Sequence, residues 1–122
     1  MNNPSEVFPE SDIILTRGDT CQIKWQRLDE EGEPITDIPE KMYFTVKKGF
    51  KAQNPIVQKT LDDMELGDDD YWHIVIAPDE TDGLAYGEYV FDLEVINAGI
   101  KQTIAMGTFT VGREVTFARN EV

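Results

Sequence analysis

The sequence predicts an all-β domain, an antiparallel β-sandwich of seven to eight strands with Greek-key connections. Short stretches in which apolar and polar residues alternate recur along the chain, and turn residues separate them about every 8–12 residues. No apolar period of helical type extends over ten or more residues. Forty per cent of the 122 residues are hydrophobic, which is enough for one core. A small closed barrel is the alternative architecture.

Eight segments carry this strand pattern. Cys21, Ile23 and Trp25 alternate with polar residues, and Leu28 is out of step with them, so this strand ends near Arg27. The clearest alternation is that of residues 89–96, and its return strand contains Gly107, where we expect a bulge. The predicted strands are residues 13–15, 21–26, 42–46, 56–61, 72–76, 89–96, 100–111 and 114–118.

Turn residues define the connections between these strands. Residues 29–34 and 97–99 have the composition of tight turns, residues 62–70 form an acidic loop, and residues 78–84 form a corner with room for one helical turn. Residues 1–11 contain two prolines and both serines of the chain, which predicts a flexible N-terminal arm. The sandwich domain is therefore expected over residues 12–118.

The corner before residues 89–96 makes the prediction more specific. Leu84, Gly87 and Tyr89 form an L-x-x-G-x-Y pattern. In immunoglobulin-like domains a tyrosine at this place packs inward, while its hydroxyl bonds a nearby backbone group. Tyr89 shares its parity with Phe91 and Leu93, as this role requires. We therefore predict an immunoglobulin-like sandwich, against the simpler interpretation of a β-turn followed by a core tyrosine.

Charge and cysteine content limit the partners and the compartment. The formal net charge is −13, which disfavours binding to nucleic acid and to anionic membrane surfaces. The single cysteine, Cys21, cannot form an intrachain disulfide, which fits a reducing cytosol or a particle assembled there. The N-terminus lacks the basic and apolar regions of a signal peptide, and no apolar run is long enough for a membrane helix.

The residue types of enzyme active sites are scarce. His73 is the only histidine, and Ser5 and Ser11 both lie in the predicted arm. By parity Cys21 faces the core and His73 faces solvent, which disfavours a Cys–His dyad. We therefore predict a non-enzymatic protein and assign no catalytic, cofactor-binding or metal-binding residue.

Three polar segments have both a functional and a structural interpretation. The acidic loop at 62–70 offers oxygen ligands for Ca²⁺, but Met64 and Leu66 break the EF-hand spacing, and a solvated loop is favoured. The tripeptide Arg17-Gly18-Asp19 spells an integrin-binding string, and a turn between strands is favoured. Lys47, Lys48 and Lys51 surround Phe50 and fit either an acidic partner, such as the acidic loop of a neighbouring copy, or a polar connection.

Four strings occur in a fixed order along the chain. They are Thr16-Arg17-Gly18-Asp19-Thr20, Tyr71-Trp72-His73-Ile74-Val75-Ile76, Leu84-x-x-Gly87-x-Tyr89-x-Phe91-Asp92-Leu93-Glu94-Val95, and Thr103-Ile104-x-x-Gly107-x-Phe109-x-Val111. In this order and spacing they resemble the immunoglobulin-like N-terminal domain of upper baseplate proteins from tailed phages and prophages of Gram-positive bacteria. The resemblance runs from about Asp12 to Phe117.

The resemblance implies a structural role without catalytic residues, in which the domain attaches to the tail machinery. Because only Ala118 to Val122 follow the sandwich, we expect an accessory tail, neck or baseplate component of the virion, or a related module used elsewhere. As a tail component it would be assembled in the bacterial cytoplasm as a homo-oligomer with other tail proteins. Val7 and Phe8 suggest that the arm docks on a neighbouring copy. The alternative function is a carbohydrate-binding or cell-surface-binding module that uses Tyr43, Tyr71 and Tyr86.

Overall fold

The computed structural model describes residues 5–7 and 10–113. Two one-turn 3₁₀ helices, Leu61–Asp63 and Pro78–Glu80, are the helices of this part of the chain. The second of them is the helical turn predicted at residues 78–84. The strands are β1 (Ser5–Val7), β2 (Glu10–Thr16), β3 (Cys21–Trp25), β4 (Lys41–Lys47), β5 (Val57–Thr60), β6 (Glu65–Leu66), β7 (Trp72–Ile76), β8 (Gly87–Asn97) and β9 (Ile100–Gly112).

The strands form two sheets that pack face to face, as expected for an all-β sandwich. The four-stranded sheet has the order β1-β3-β7-β6, and the five-stranded sheet has the order β2-β9-β8-β4-β5. Both sheets are mixed, because β1 pairs parallel with β3 and β2 pairs parallel with β9. The expectation of a purely antiparallel sandwich is therefore wrong for the N-terminal segment, whose partners lie far along the chain and are not reached by a hairpin.

The N-terminal segment belongs to the sandwich. Residues 5–7 form β1, and Val7 is 5% exposed within the core. The second strand begins at Glu10 and runs beside β9 for seven residue pairs. This pairing corrects the expectation of a flexible arm for residues 5–7 and 10–11. Pairing of this kind is made by backbone groups, so the polar composition of the segment did not reveal it. Phe8 and the predicted strand 114–118 lie outside the described residues.

The core lies between the two sheets and is built from the inward parity of the long strands. Phe44 and Phe91 stack with ring centroids 5.4 Å apart, and Trp25 pairs with Trp72 on adjacent strands. The predicted alternations are confirmed at these positions. The bulkiest fully buried side chains are Trp25, Phe44, Phe91, Phe109, Ile13, Ile23, Met42, Ile74, Ile76 and Leu93.

The β8–β9 hairpin differs from its prediction in one detail. Its two-residue turn at Ala98 and Gly99 is confirmed, with φ angles of 52° and 76°. The bulge is at Ile104, because Leu93 pairs with Ala105 while Glu94 pairs with Thr103. Gly107 has another role: a Cβ at this position would overlap the carbonyl oxygen of Ser11. Glycine therefore permits the close approach of β2 to β9.

Candidate functional site

The sheet register places three connections at one end of the sandwich. Trp25 pairs with Trp72, Lys41 with Ile96, and Tyr43 with Thr60, so the β3–β4 loop, the β5–β7 segment and the β8–β9 turn lie together. Half of the 24 acidic residues of the chain lie in these connections. We call this the acidic end, and its carboxylates are Asp29, Glu30, Glu31, Glu33, Asp37, Glu40, Asp62, Asp63, Glu65, Asp68, Asp69 and Asp70.

The opposite end carries a different charge pattern. It contains the β2–β3 turn, the β4–β5 loop, the β7–β8 corner and the end of β9. Residues 41–60, which include β4, the β4–β5 loop and β5, hold five lysines and no acidic residue. We call this the corner end. Its cationic side chains are Arg17, Lys47, Lys48, Lys51 and Arg113, and its connections also carry four carboxylates, Asp19, Asp79, Glu80 and Asp82.

The tyrosine predicted to hold the corner does so. The Tyr89 hydroxyl donates a hydrogen bond to the carbonyl oxygen of Ala85 at 2.7 Å, and the ring is 8% exposed. Gly87 lies between these residues with φ at 137°, a region that side chains disfavour. This hydrogen bond attaches the start of β8 to the corner before it.

Arg17 adds a second attachment at the corner end. Its guanidinium donates to the carbonyl oxygen of Leu84 at 3.0 Å and to the Tyr86 hydroxyl at 2.8 Å, and it stacks 4.2 Å from the Tyr86 ring centroid. Arg113 lies 4.8 Å from the same centroid. The turn interpretation of Arg17-Gly18-Asp19 is confirmed, since the Asp19 N–H donates to the Thr16 carbonyl oxygen. A guanidinium held in this way is not presented for adhesion.

Cys21 and His73 lie apart. Cys21 is 7% exposed, and burial raises the pKa of its thiol to about 11, so the thiol stays protonated at neutral pH. His73 is half-buried on the opposite face of the same sheet, where its Nε2 lies 3.2 Å from Asp69. The two residues therefore form no dyad, in agreement with their parities.

The acidic loop is shorter and more structured than residues 62–70 suggest, because β6 divides it. Asp63 accepts a hydrogen bond from the Thr60 N–H, and Asp69 accepts one from the Tyr71 N–H. The Tyr71 N–H and, secondarily, His73 hold the pKa of Asp69 below its usual range. Within residues 5–7 and 10–113, no three acidic, histidine or cysteine side chains converge as metal ligands.

The acidic end also contains a cavity of about 420 Å³, between the β3–β4 loop and β9. Its apolar wall includes Leu28, Ile35 and Ile104, and Ile104 is the bulged residue of β9. Leu28 is 54% exposed. Ile38, in the same β3–β4 loop, and Ile100, the first residue of β9, are also exposed. The sequence did not predict this cavity, because the alternation of apolar and polar residues does not indicate how far the β3–β4 loop lies from β9.

The three tyrosines suggested for carbohydrate binding do not form a shared platform. Tyr86 lies at the corner end between two guanidinium groups. The Tyr71 hydroxyl donates to Glu6 at 3.0 Å, and Lys24 covers its ring at 4.4 Å. Tyr43 is half-buried on β4, in the other sheet. Stacking on sugars requires free ring faces, which Tyr71 and Tyr86 offer only in part.

Comparison with known proteins gives no assignment. No family model matches the chain, and no curated protein matches it. In the part of the chain that the structure describes, no helix has both the length and the apolar character needed to cross a bilayer.

Proposed function

We propose that this chain is a non-enzymatic structural or assembly protein of a phage or prophage tail. It acts through protein–protein contacts, as a baseplate or accessory tail component, with other tail proteins as partners. The proposal combines the resemblance of its ordered strings to upper baseplate domains with the sandwich that carries them.

The observation that carries the proposal is the corner of β8 within this strand order. Immunoglobulin-like sandwiches place strands A, B, E and D in one sheet and C, F and G in the other, with Greek-key connections. The orders β1-β3-β7-β6 and β2-β9-β8-β4-β5 support an immunoglobulin-like assignment in which β5 and β2 are added at the margins. In that assignment Tyr89 would lie near the start of the strand equivalent to F, and the bond from its hydroxyl to Ala85 supports this position. The parallel β1–β3 pair is the departure from that pattern.

The charge distribution supports contact with proteins over contact with nucleic acid or membrane. The acidic end would repel phosphate groups, whereas a protein surface with basic and apolar residues would complement it. Exposed Leu28, Ile38 and Ile100 supply apolar area on that end.

Deletion of the coding sequence from the genome that carries it tests the proposal. After induction, we expect particles without complete tails by negative-stain electron microscopy, and loss of infectivity that the intact gene restores. A gold-labelled tagged chain should locate to the tail. Infectious particles with normal tails, and no label on them, would overturn the tail role.

A further inference from the structure

The acidic end presents a cavity with an apolar wall beside an acidic turn. The cavity of about 420 Å³ is lined by Val7, Leu28, Ile35, Leu93, Ile104 and Ala105, and its lining also includes one carboxylate, Glu6, and one cation, Arg27. The exposed turn of the same β3–β4 loop carries Asp29, Glu30, Glu31 and Glu33. Asp29 holds that turn by accepting hydrogen bonds from the Glu31 and Glu33 N–H groups. A fitting occupant therefore combines an apolar side chain with several cations.

The same molecule presents that combination at its corner end. The β4–β5 loop contains Lys47, Lys48, Phe50 and Lys51, and we call these four residues the basic loop. The Phe50 ring is 62% exposed, so it projects an apolar group among the lysines. No acidic residue lies between Lys41 and Thr60, and the carboxylate that acts on Lys47 is Asp92 of the neighbouring strand β8.

We propose that the basic loop of one copy docks on the acidic end of a second copy, with Phe50 entering the cavity beside Leu28. The lysines then face the carboxylates of residues 29–33. This inference rests on the proposed assembly role, and it specifies one partner of the chain as a further copy of itself.

The positions of the two surfaces determine the kind of assembly. β4 joins them directly, since the β3–β4 loop precedes Lys41 and the basic loop begins at Lys47, the last residue of β4. Seven extended residues separate the ends by about 20 Å. A contact between opposite ends is heterologous, so it continues from copy to copy into a ring or a filament. One phenylalanine with three lysines makes a small contact, which repetition in an assembly strengthens.

Single substitutions on each surface test the contact. Phe50→Glu removes the apolar group of the loop, and Leu28→Glu places a charge at the mouth of the cavity. Ile14→Glu is the matched control, because Ile14 is 74% exposed on β2, away from both surfaces. Sedimentation velocity over about 10 μM to about 1 mM should show wild-type and Ile14→Glu chains exceeding the 13.9 kDa monomer, with association at least about 10-fold weaker in each of the other variants.

A mixture of the two variants gives the sharpest result. Phe50→Glu retains an intact acidic end, and Leu28→Glu retains an intact basic loop, so one contact can still form between them. We expect the equimolar mixture to form a 1:1 dimer that does not grow further. Charge exchange provides a second measurement. One variant carries both Lys48→Glu and Lys51→Glu, and the other carries both Glu30→Lys and Glu31→Lys. Mixing these two double variants should recover association.

Three results would overturn the self-contact: a wild-type chain that is monomeric at about 1 mM, a Phe50→Glu chain that associates like wild type, or a mixture that stays monomeric. The near-ultraviolet circular dichroism of each variant identifies unfolding separately. A monomeric chain whose deletion still removes tails overturns the self-contact alone, whereas self-association without a tail phenotype overturns the tail role alone.

Discussion

The two ends of the sandwich are held differently. At the corner end, Arg17 of the β2–β3 turn and Tyr89 of β8 bond the β7–β8 corner, through backbone carbonyls and the Tyr86 hydroxyl. At the acidic end, the connections carry half of the carboxylates of the chain, and a cavity of about 420 Å³ lies beside the β3–β4 loop. The hydrogen bonds of Arg17 attach one connection to another at the corner end, whereas Asp29, Asp63 and Asp69 hold their own turns at the acidic end. Exposed apolar residues leave the acidic end available for recognition.

Among these substitutions, we expect Gly107→Ala to lower the free energy of unfolding the most. A Cβ at position 107 would overlap the Ser11 carbonyl oxygen, so β2, which carries Arg17 at its end, must move away from β9. We expect a loss of about 2–3 kcal/mol in the free energy of unfolding. Gly49→Ala is the control, because a Cβ there meets nothing within 4 Å. Urea denaturation compares the variants, and equal midpoints would contradict the close approach.

Removal of the Arg17 side chain removes its contacts at the corner end and leaves the core residues unchanged. Arg17→Ala loses two charge-assisted hydrogen bonds and a stacking contact, for which we expect about 1–2 kcal/mol after allowance for partial exposure. Arg17→Lys keeps the charge but loses the planar fork, so its stability should lie between those of wild type and Arg17→Ala. If Arg17→Lys matches wild type in thermal denaturation, the fork is not the attachment.

Tyr89→Phe tests the corner hydrogen bond alone. The ring stays in place while the Ala85 carbonyl loses its donor, so we expect a loss of about 1 kcal/mol. Tyr43→Phe, at a half-buried tyrosine on β4, controls for removal of a hydroxyl. A loss no larger than that of the control in chemical denaturation would show that the corner does not depend on this bond.

The Asp92 carboxyl interacts with charged residues toward both ends of the sandwich. Its substitution should change stability the least of those considered. Burial and, next, Glu94 toward the acidic end raise the pKa of its carboxyl, while Lys47 from the corner end and Lys101 act in the opposite direction. Since the folded-state pKa lies above the unfolded value, the ionised carboxylate destabilises the fold at neutral pH, and this cost disappears as pH falls through the raised pKa.

Asp92→Asn should therefore raise the melting temperature slightly at pH 7 and leave it unchanged below about pH 3.5. Thermal denaturation across this range, with wild type in the same buffers, measures the difference. A destabilised Asp92→Asn chain at pH 7 would mean that the favourable pull of the lysines outweighs burial.

Local patterns predicted the long strands and the corner. The alternations at β3, β4, β7 and β8 are confirmed because each strand has one face in the core, and apolar parity records which face that is. The Tyr89 bond was predictable because its donor and acceptor lie four residues apart. β1 and β6 were missed because two or three residues are too few to show a period.

The remaining misses concern residues far apart in the chain. A glycine within a strand, such as Gly107, predicts either a bulge or the close approach of another backbone. Only the position of Ser11 on β2 shows that the close approach is the case here. The bulge at Ile104 and the cavity beside it depend on how β9 meets the β3–β4 loop. The lack of acidic residues over 41–60 was visible in the sequence, but it carries meaning only once the ends are known.

The sequence by itself determined that this protein is built from β-strands, which positions face inward, and that its charge is −13. These properties follow from residue types and from spacings of a few residues. Tertiary structure alone decided that two acidic segments more than 20 residues apart meet at one end while the basic loop lies at the other. Strand pairing produces that separation, because each strand carries its two flanking loops to opposite ends of the sheet.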